Sequence, residues 1–178
     1  MTSLKRLLQR LRSDVRGNAT LEFVMMFPIF IIVFLSAFEG GIMMTRHVML
    51  ERSLDLAVRD LRLGTWNPPT HQELKDTVCS KALVIPDCGN AVLLELRPVS
   101  TVTWQPLQGG ATCVDRDEVI QPVTTFVSGG SSEMMLVRAC AVFDPVFIST
   151  GIGLRLPSVD DRGGYALVST SAFVNEPS

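Results

Sequence analysis

The chain has 178 residues, 47% of them hydrophobic, and a formal net charge of −2. That length gives room for one domain with a real core, and no segment is long or polar enough to suggest a second. The charge is unevenly shared: Lys5, Arg6, Arg10, Arg12 and Arg16 against Asp14 make residues 1–17 about +4 and leave about −6 for the rest, so an acidic body behind a basic end excludes the footprint of a nucleic-acid binder.

The first element is an apolar run. Across residues 23–44 Glu39 is the only charge, and a helix of that length rises about 33 Å, enough to cross a hydrocarbon core of about 30 Å. A buried core helix of a small soluble protein seldom runs so long. A cleaved secretory signal would have a shorter apolar centre and a small-residue cleavage site, whereas Ala37 and Gly40 are crowded by Leu35, Phe38 and Glu39. The expectation is a single-pass membrane helix with its basic N-terminal side in the cytoplasm and the remainder beyond the membrane, in a bacterium the periplasm.

Glu22 stands at the mouth of this run. An ionisable residue there is costly enough to be a functional hypothesis by default. If the chain were cut after Gly17, the new amino terminus would be Asn18, and Glu22 would lie one turn away, where the helix dipole favours a carboxylate and an ammonium group on the same or a neighbouring subunit could neutralise it. The basic leader ending in Gly17, then four residues, then Glu22-Phe23 resembles the processing site of type IV prepilins. With the following Phe27-Pro28 it is most similar to the TadE-like pseudopilins of tight-adherence (Flp) pilus systems.

The resemblance covers residue 16 to about residue 65. It implies cleavage after Gly17 by a membrane aspartyl prepilin peptidase and a part in pilus assembly as a minor component, hence in adherence and biofilm formation. The site residues are then Gly17, Asn18, Glu22 and Phe23. The partners implied are the inner membrane, the prepilin peptidase and other pilins and assembly proteins, with no small-molecule substrate and no nucleic acid. The closing Asn175-Glu176-Pro177 is similar to the ending of some members of this family, although a frayed polar terminus would read the same. The competing function is an uncleaved, signal-anchored periplasmic binding domain that never polymerises.

Beyond the membrane the helix is expected to continue. Leu50, Leu54, Ala57, Val58 and Leu61 recur at helical spacing with Arg52, Asp55, Arg59 and Arg62 opposite, and Gly64 followed by Pro68-Pro69 supplies a stop. The spacing thus predicts one helix from about residue 19 to 63, with kinks at Pro28 and Gly40-Gly41. Thr70-His71-Gln72-Glu73 is a capping box opening a second helix to about Leu83. Alternation marks strands at 134–143, with Met135, Val137, Ala139, Ala141 and Phe143 on one face, and at 165–174, with Ala166, Val168, Thr170, Ala172 and Val174 on one face. Shorter strand candidates are 92–96, 101–105 and 119–127, the last weakened by Pro122. Helices first and strands after predict an α+β fold, a long transmembrane and stalk helix against a small antiparallel sheet, stapled by disulfides. The domain division is 1–17 as cytoplasmic leader, 18–63 as transmembrane and stalk helix, and 64–178 as periplasmic domain.

All four cysteines, Cys79, Cys88, Cys113 and Cys140, fall on the side expected to be oxidising. Three pairings are possible, and the preferred one joins Cys79 to Cys88 across a short loop and Cys113 to Cys140 between a loop and a strand. No Cys-x-x-Cys or paired-His spacing supports zinc. No nucleophile elbow, phosphate loop, dinucleotide fingerprint or His-Glu-x-x-His is present. His47 and His71 read as ordinary helix residues, and Asp115, Asp117 and Glu118 read as a solvated loop, short of the ligands of a calcium loop. The expectation is therefore a non-enzymatic protein without cofactor or metal. The apolar, glycine-containing loop 144–154 is expected to cover the core, with a contact surface for another pilus component as the alternative.

Overall fold

The computed structural model describes residues 18–66, 68–105, 110–118, 120–148, 151–161 and 163–176. Gly17 and the basic leader, Val119, Pro177 and the side chain of Asn18 lie outside the described residues. Helix α1 runs Asn18–Arg62, unbroken through Pro28 and Gly40-Gly41, and is followed by α2 (His71–Lys81), the single turn α3 (Cys88–Ala91), and strands β1 (Val92–Pro98), β2 (Met134–Phe143) and β3 (Tyr165–Val174). The strands form one antiparallel sheet in the order β1-β2-β3. The fold is α+β, as the order of patterns in the chain predicts.

The ends of the helices follow from their caps. Gly64 closes α1 at φ +66°, a left-handed position that costs glycine least, and lets its own N–H and those of Leu63 and Thr65 bond back to the carbonyls of Leu61, Arg59 and Asp60. Thr70 caps α2: its hydroxyl accepts from the Glu73 N–H while the Glu73 carboxylate takes the Thr70 N–H at 3.0 Å. This helix ends at Lys81, two residues short of the expected Leu83, because Ala82 already leaves helical geometry. The turn α3 has no periodic signal, being too short to show one.

The core lies between the second half of α1 and one face of the sheet. Leu50, Leu54 and Ala57 of α1 are fully buried with Leu74 and Val78 of α2, against Val92, Leu94 and Leu96 of β1 and Met135, Val137, Ala139, Ala141 and Phe143 of β2. Burial of each such aliphatic side chain contributes about 1.5–3 kcal/mol. The register places Tyr165 opposite Phe143, Leu167 opposite Ala141 and Phe173 opposite Met135, so the odd-numbered residues of β3 join this core. The alternation of Ala166, Val168, Thr170, Ala172 and Val174 is therefore that of the opposite face. β2 is the central strand and is covered on both sides: its other face carries Val142 against Leu93 and Val114, where Cys140 bonds to Cys113.

Two expected strands are absent from the sheet. Residues 101–105 form a compact turn, in which the Ser100 hydroxyl accepts from the N–H groups of Val102 and Thr103 and the Ser100 carbonyl accepts from Trp104. This local bonding satisfies the backbone without a ladder. Among the described residues 120–127 only a bridge forms, with the Leu96 N–H donating to the Thr125 carbonyl and the Val127 N–H to the Leu96 carbonyl along the free edge of β1. Pro122 cannot donate, which confines the segment to that edge.

The structure holds both favoured disulfides, Cys79–Cys88 with Cα atoms 5.6 Å apart and Cys113–Cys140 at 5.1 Å. The first ties α2 to α3 and the second ties the 110–118 segment to the outer face of the sheet. The chain's end is held rather than frayed through Glu176: the Asn175 side chain donates to the carbonyls of Ser128 and Gly130, and Glu176 pairs with Arg62 at 3.1 Å.

Candidate functional site

In the first half of α1, residues 21–30 are exposed along their whole length among the described residues. Its most apolar stretch is wholly exposed, and its length and composition suit a membrane crossing. The phenylalanines of this half fall in one stripe, at positions 23, 27, 30, 34 and 38, a spacing of three or four that keeps them on one side of a helix. Phe23 stacks on Phe27 with ring centroids 5.0 Å apart and Phe30 on Phe34 at 6.4 Å. The sequence reading singled out Phe23 for its place beside Glu22; the stripe was legible in the same spacing.

Two carboxylates interrupt the run and meet opposite fates. Glu22 is exposed, one turn inside the helix start, and has no partner among the described residues. Glu39 is 1% exposed. Its Oε2 accepts from the backbone N–H of Val146 at 3.0 Å and of Phe147 at 3.0 Å, and its Oε1 accepts from Val146 at 3.1 Å. Those donors belong to the loop 144–154, which therefore packs on α1 rather than over the main core, a correction to the expectation. The reason is the carboxylate itself: a buried charge needs donors, and a turn of backbone N–H groups supplies them.

Residues 151 and 152 of the loop follow the same helix surface. Gly151, at φ +55°, approaches so closely that a Cβ there would strike the Ser36 hydroxyl, and at Gly40 a Cβ would meet Ile152 at 3.7 Å. Phe38 meets Phe147 edge-on at 6.0 Å. The loop's first residue is fixed from two directions. Arg116 donates to the Asp144 carboxylate at 2.7 and 2.9 Å and to Asp160 at 2.6 Å, and Arg46 reaches the Asp144 carbonyl at 3.3 Å and the Tyr165 hydroxyl at 3.0 Å while lying over the Phe143 ring. The hydrogen bonds to Asp144, with further help from Asp160, hold the Arg116 guanidinium above its ordinary pKa against a smaller cost of burial. Arg116, lying between Asp115 and Asp117, thus makes a clamp with Asp144 and Asp160, while Asp117 and Glu118 are exposed.

The histidines also have placed roles. His47 Nε2 lies 3.2 Å from the Val168 carbonyl on β3, and His71 packs edge-on to Phe126. Burial, and then the positive charge of Lys75, push the His71 pKa down, with a bond to the Leu94 backbone opposing. Among the described residues no cluster of His, Cys, Asp and Glu is arranged to hold a metal ion.

Residues 17–59 match a family model described as TadE-like protein. The match lies within the stretch, residue 16 to about residue 65, over which the resemblance carried by Gly17, Glu22 and Phe23 runs, and it takes in Glu39 and most of the stalk. No curated protein and no solved structure gives a significant match.

Proposed function

We propose, from the TadE-like segment at residues 17–59, that the protein is a minor pilin or pseudopilin taking part in assembly of a Flp-type pilus, with no catalytic step of its own. Its leader stays in the cytoplasm, α1 anchors it once through the inner membrane, and residues 64–178 stand in the periplasm, where the two disulfides persist. The prepilin peptidase cuts after Gly17, and the mature chain starts at Asn18.

The observation that supports this reading best is Glu22. Glu39 in the same helix is fully served by its own chain, but Glu22 is exposed on an apolar helix with no described partner. A partner from outside the chain relieves that cost, either the ammonium group freed at Asn18 or that of a neighbouring subunit. The Phe stripe offers the adjoining surface for helix packing.

Mass analysis of membrane-extracted protein tests the processing step: a chain beginning at Asn18 is expected, and Gly17→Val is expected to leave the full-length precursor, because a side chain there obstructs the peptidase. Mature protein at parental level in Gly17→Val would overturn the assignment. The assembly step is tested by co-purification with other pilins at matched levels of mature protein. Glu22→Leu and Glu22→Gln are both expected to weaken it, since neither offers a counter-charge, and parental co-purification of both would remove Glu22 from the interface.

A further inference from the structure

We infer that residues 145–148 of the loop, with the turn at Leu83-Val84, are seated in the lipid of the outer leaflet, so that the domain is held against the membrane by a second contact besides α1. The inference rests on the membrane reading of α1 given above. It starts from depth. Glu22 and Glu39 are 17 residues apart, about 25 Å along a helix rising about 1.5 Å per residue, which is less than a hydrocarbon core of about 30 Å. With Glu22 at the cytoplasmic boundary, Glu39 falls inside the far boundary, and any tilt of the helix only shortens its reach. The polar residues Thr45, Arg46 and His47 come more than a turn later.

A bare carboxylate at that depth is unfavourable, as are unbonded backbone N–H groups. The structure removes both costs in one contact, since the Val146 and Phe147 N–H groups are spent on Glu39. Irregular backbone is tolerated within a bilayer where it packs on protein in this way. Because the loop bonds directly to Glu39, it lies at the same depth. Beyond Asp144, whose exposed carboxylate pairs with Arg116, the outward side chains are apolar: Ile148 is 64% exposed, and Val146 and the neighbouring Phe38 of α1 are about half exposed. On a water-facing surface these would be unfavourable, and at this level they meet acyl chains.

A second, independent segment reaches the same level. Val84 lines a cleft with Ala37, Phe38, Gly41, Ile42 and Thr45 of α1, and its neighbour Leu83 is 85% exposed. The apolar surface of the span therefore continues without a break onto two loops from different parts of the domain. That continuity identifies the occupant as lipid rather than a separate partner.

The test reads depth by tryptophan quenching in full-length protein reconstituted in phosphatidylcholine vesicles, with bromine atoms on the acyl chains either near the headgroup or near the chain end. Single emitters are placed at Ile148→Trp, Leu83→Trp and Phe30→Trp in a Trp66→Phe, Trp104→Phe background. The same three probes in the parent background, read as added quenching, guard against a folding defect from losing Trp66. Ile148→Trp and Leu83→Trp are expected to lose most of their emission to the shallow bromines, Phe30→Trp to the deep ones, and the native tryptophans of the parent protein to neither. Quenching at Phe30→Trp with water-like, unquenched emission at both loop probes would overturn the inference and leave the span intact. No quenching at Phe30→Trp would overturn the membrane reading and this inference together. Loop probes that are shielded but unquenched, and become water-exposed when the protein is diluted in lipid, would assign the surface to another subunit and overturn it as well.

Discussion

The two halves of α1 are built from similar apolar residues in one continuous helix, yet one half is bare and the other is the spine of a core. In residues 21–30 the large side chains are exposed, whereas Leu50, Leu54 and Ala57 are fully buried. What separates them is pattern. The first half is apolar all round, so any side of it can face lipid, while the second half alternates an apolar stripe with Arg52, Asp55, Arg59 and Arg62 and has one side to bury. The change comes around Glu39, where Ser36 to Gly40 meet Val146, Phe147, Gly151 and Ile152. Burial therefore comes from the company a helix keeps, and hydrophobicity alone does not assign it.

The sharpest way to break this comparison is truncation in each half. Leu54→Ala should cost the domain about 2–5 kcal/mol, by lost burial and the cavity left behind. Val33→Ala, on a side chain 63% exposed within the chain, should leave that stability unchanged. Denaturant titration in micelles, followed by Trp66 emission, measures both. Equal losses would mean that the first half also packs within the chain.

Removing the Cys113–Cys140 bridge by paired Cys→Ala substitution should cost about 2–4 kcal/mol, because it restrains a long stretch of unfolded chain. The same titration reads the loss, and membrane extraction should show that anchoring by the first half is unaffected. In the parent protein, alkylation without reduction should find no free thiol among the four cysteines.

The two carboxylates sharpen the comparison next. Glu39→Leu leaves the Val146 and Phe147 N–H groups without their acceptor and should cost about 1–3 kcal/mol, with faster amide exchange in the loop. Glu22→Leu should leave both readouts unchanged, since no described part of the chain depends on it.

The smallest expected effect is one of pH and belongs to α2, which packs on the buried half. Burial and Lys75 make folded His71 a weaker base than its ordinary 6.5, so the unfolded chain binds the proton more readily. Its contribution to stability is thus present above about 6.5 and declines as pH falls through that value, levelling off once folded His71 is itself protonated. In His71→Gln this part of the decline should be missing from a series of titrations on either side of 6.5.

Much of this was legible in residue order because it depends on near neighbours. The span, the stalk stripe from Leu50 to Leu61, the Gly64 stop, the Thr70 capping box, and strands 134–143 and 165–174 all rest on spacings within a few residues. The placement of Gly17, Glu22 and Phe23 beside a basic leader likewise needed only local order to suggest processing. Residues 101–105 mislead because β-forming composition does not register the hydrogen bonds of the Ser100 turn, whereas Pro122 rightly weakens the strand reading of 119–127.

Tertiary structure alone decided the rest. Nothing local joins Glu39 to Val146 and Phe147, or Arg116 to Asp144 and Asp160, and nothing in the alternation of β3 says which of its faces meets α1. A period of two states that the faces differ, but the choice between them falls to whichever neighbour covers more apolar area. A carboxylate in an apolar helix states that a donor is needed, but only the folded chain determines which backbone, far away in sequence, comes close enough to provide it.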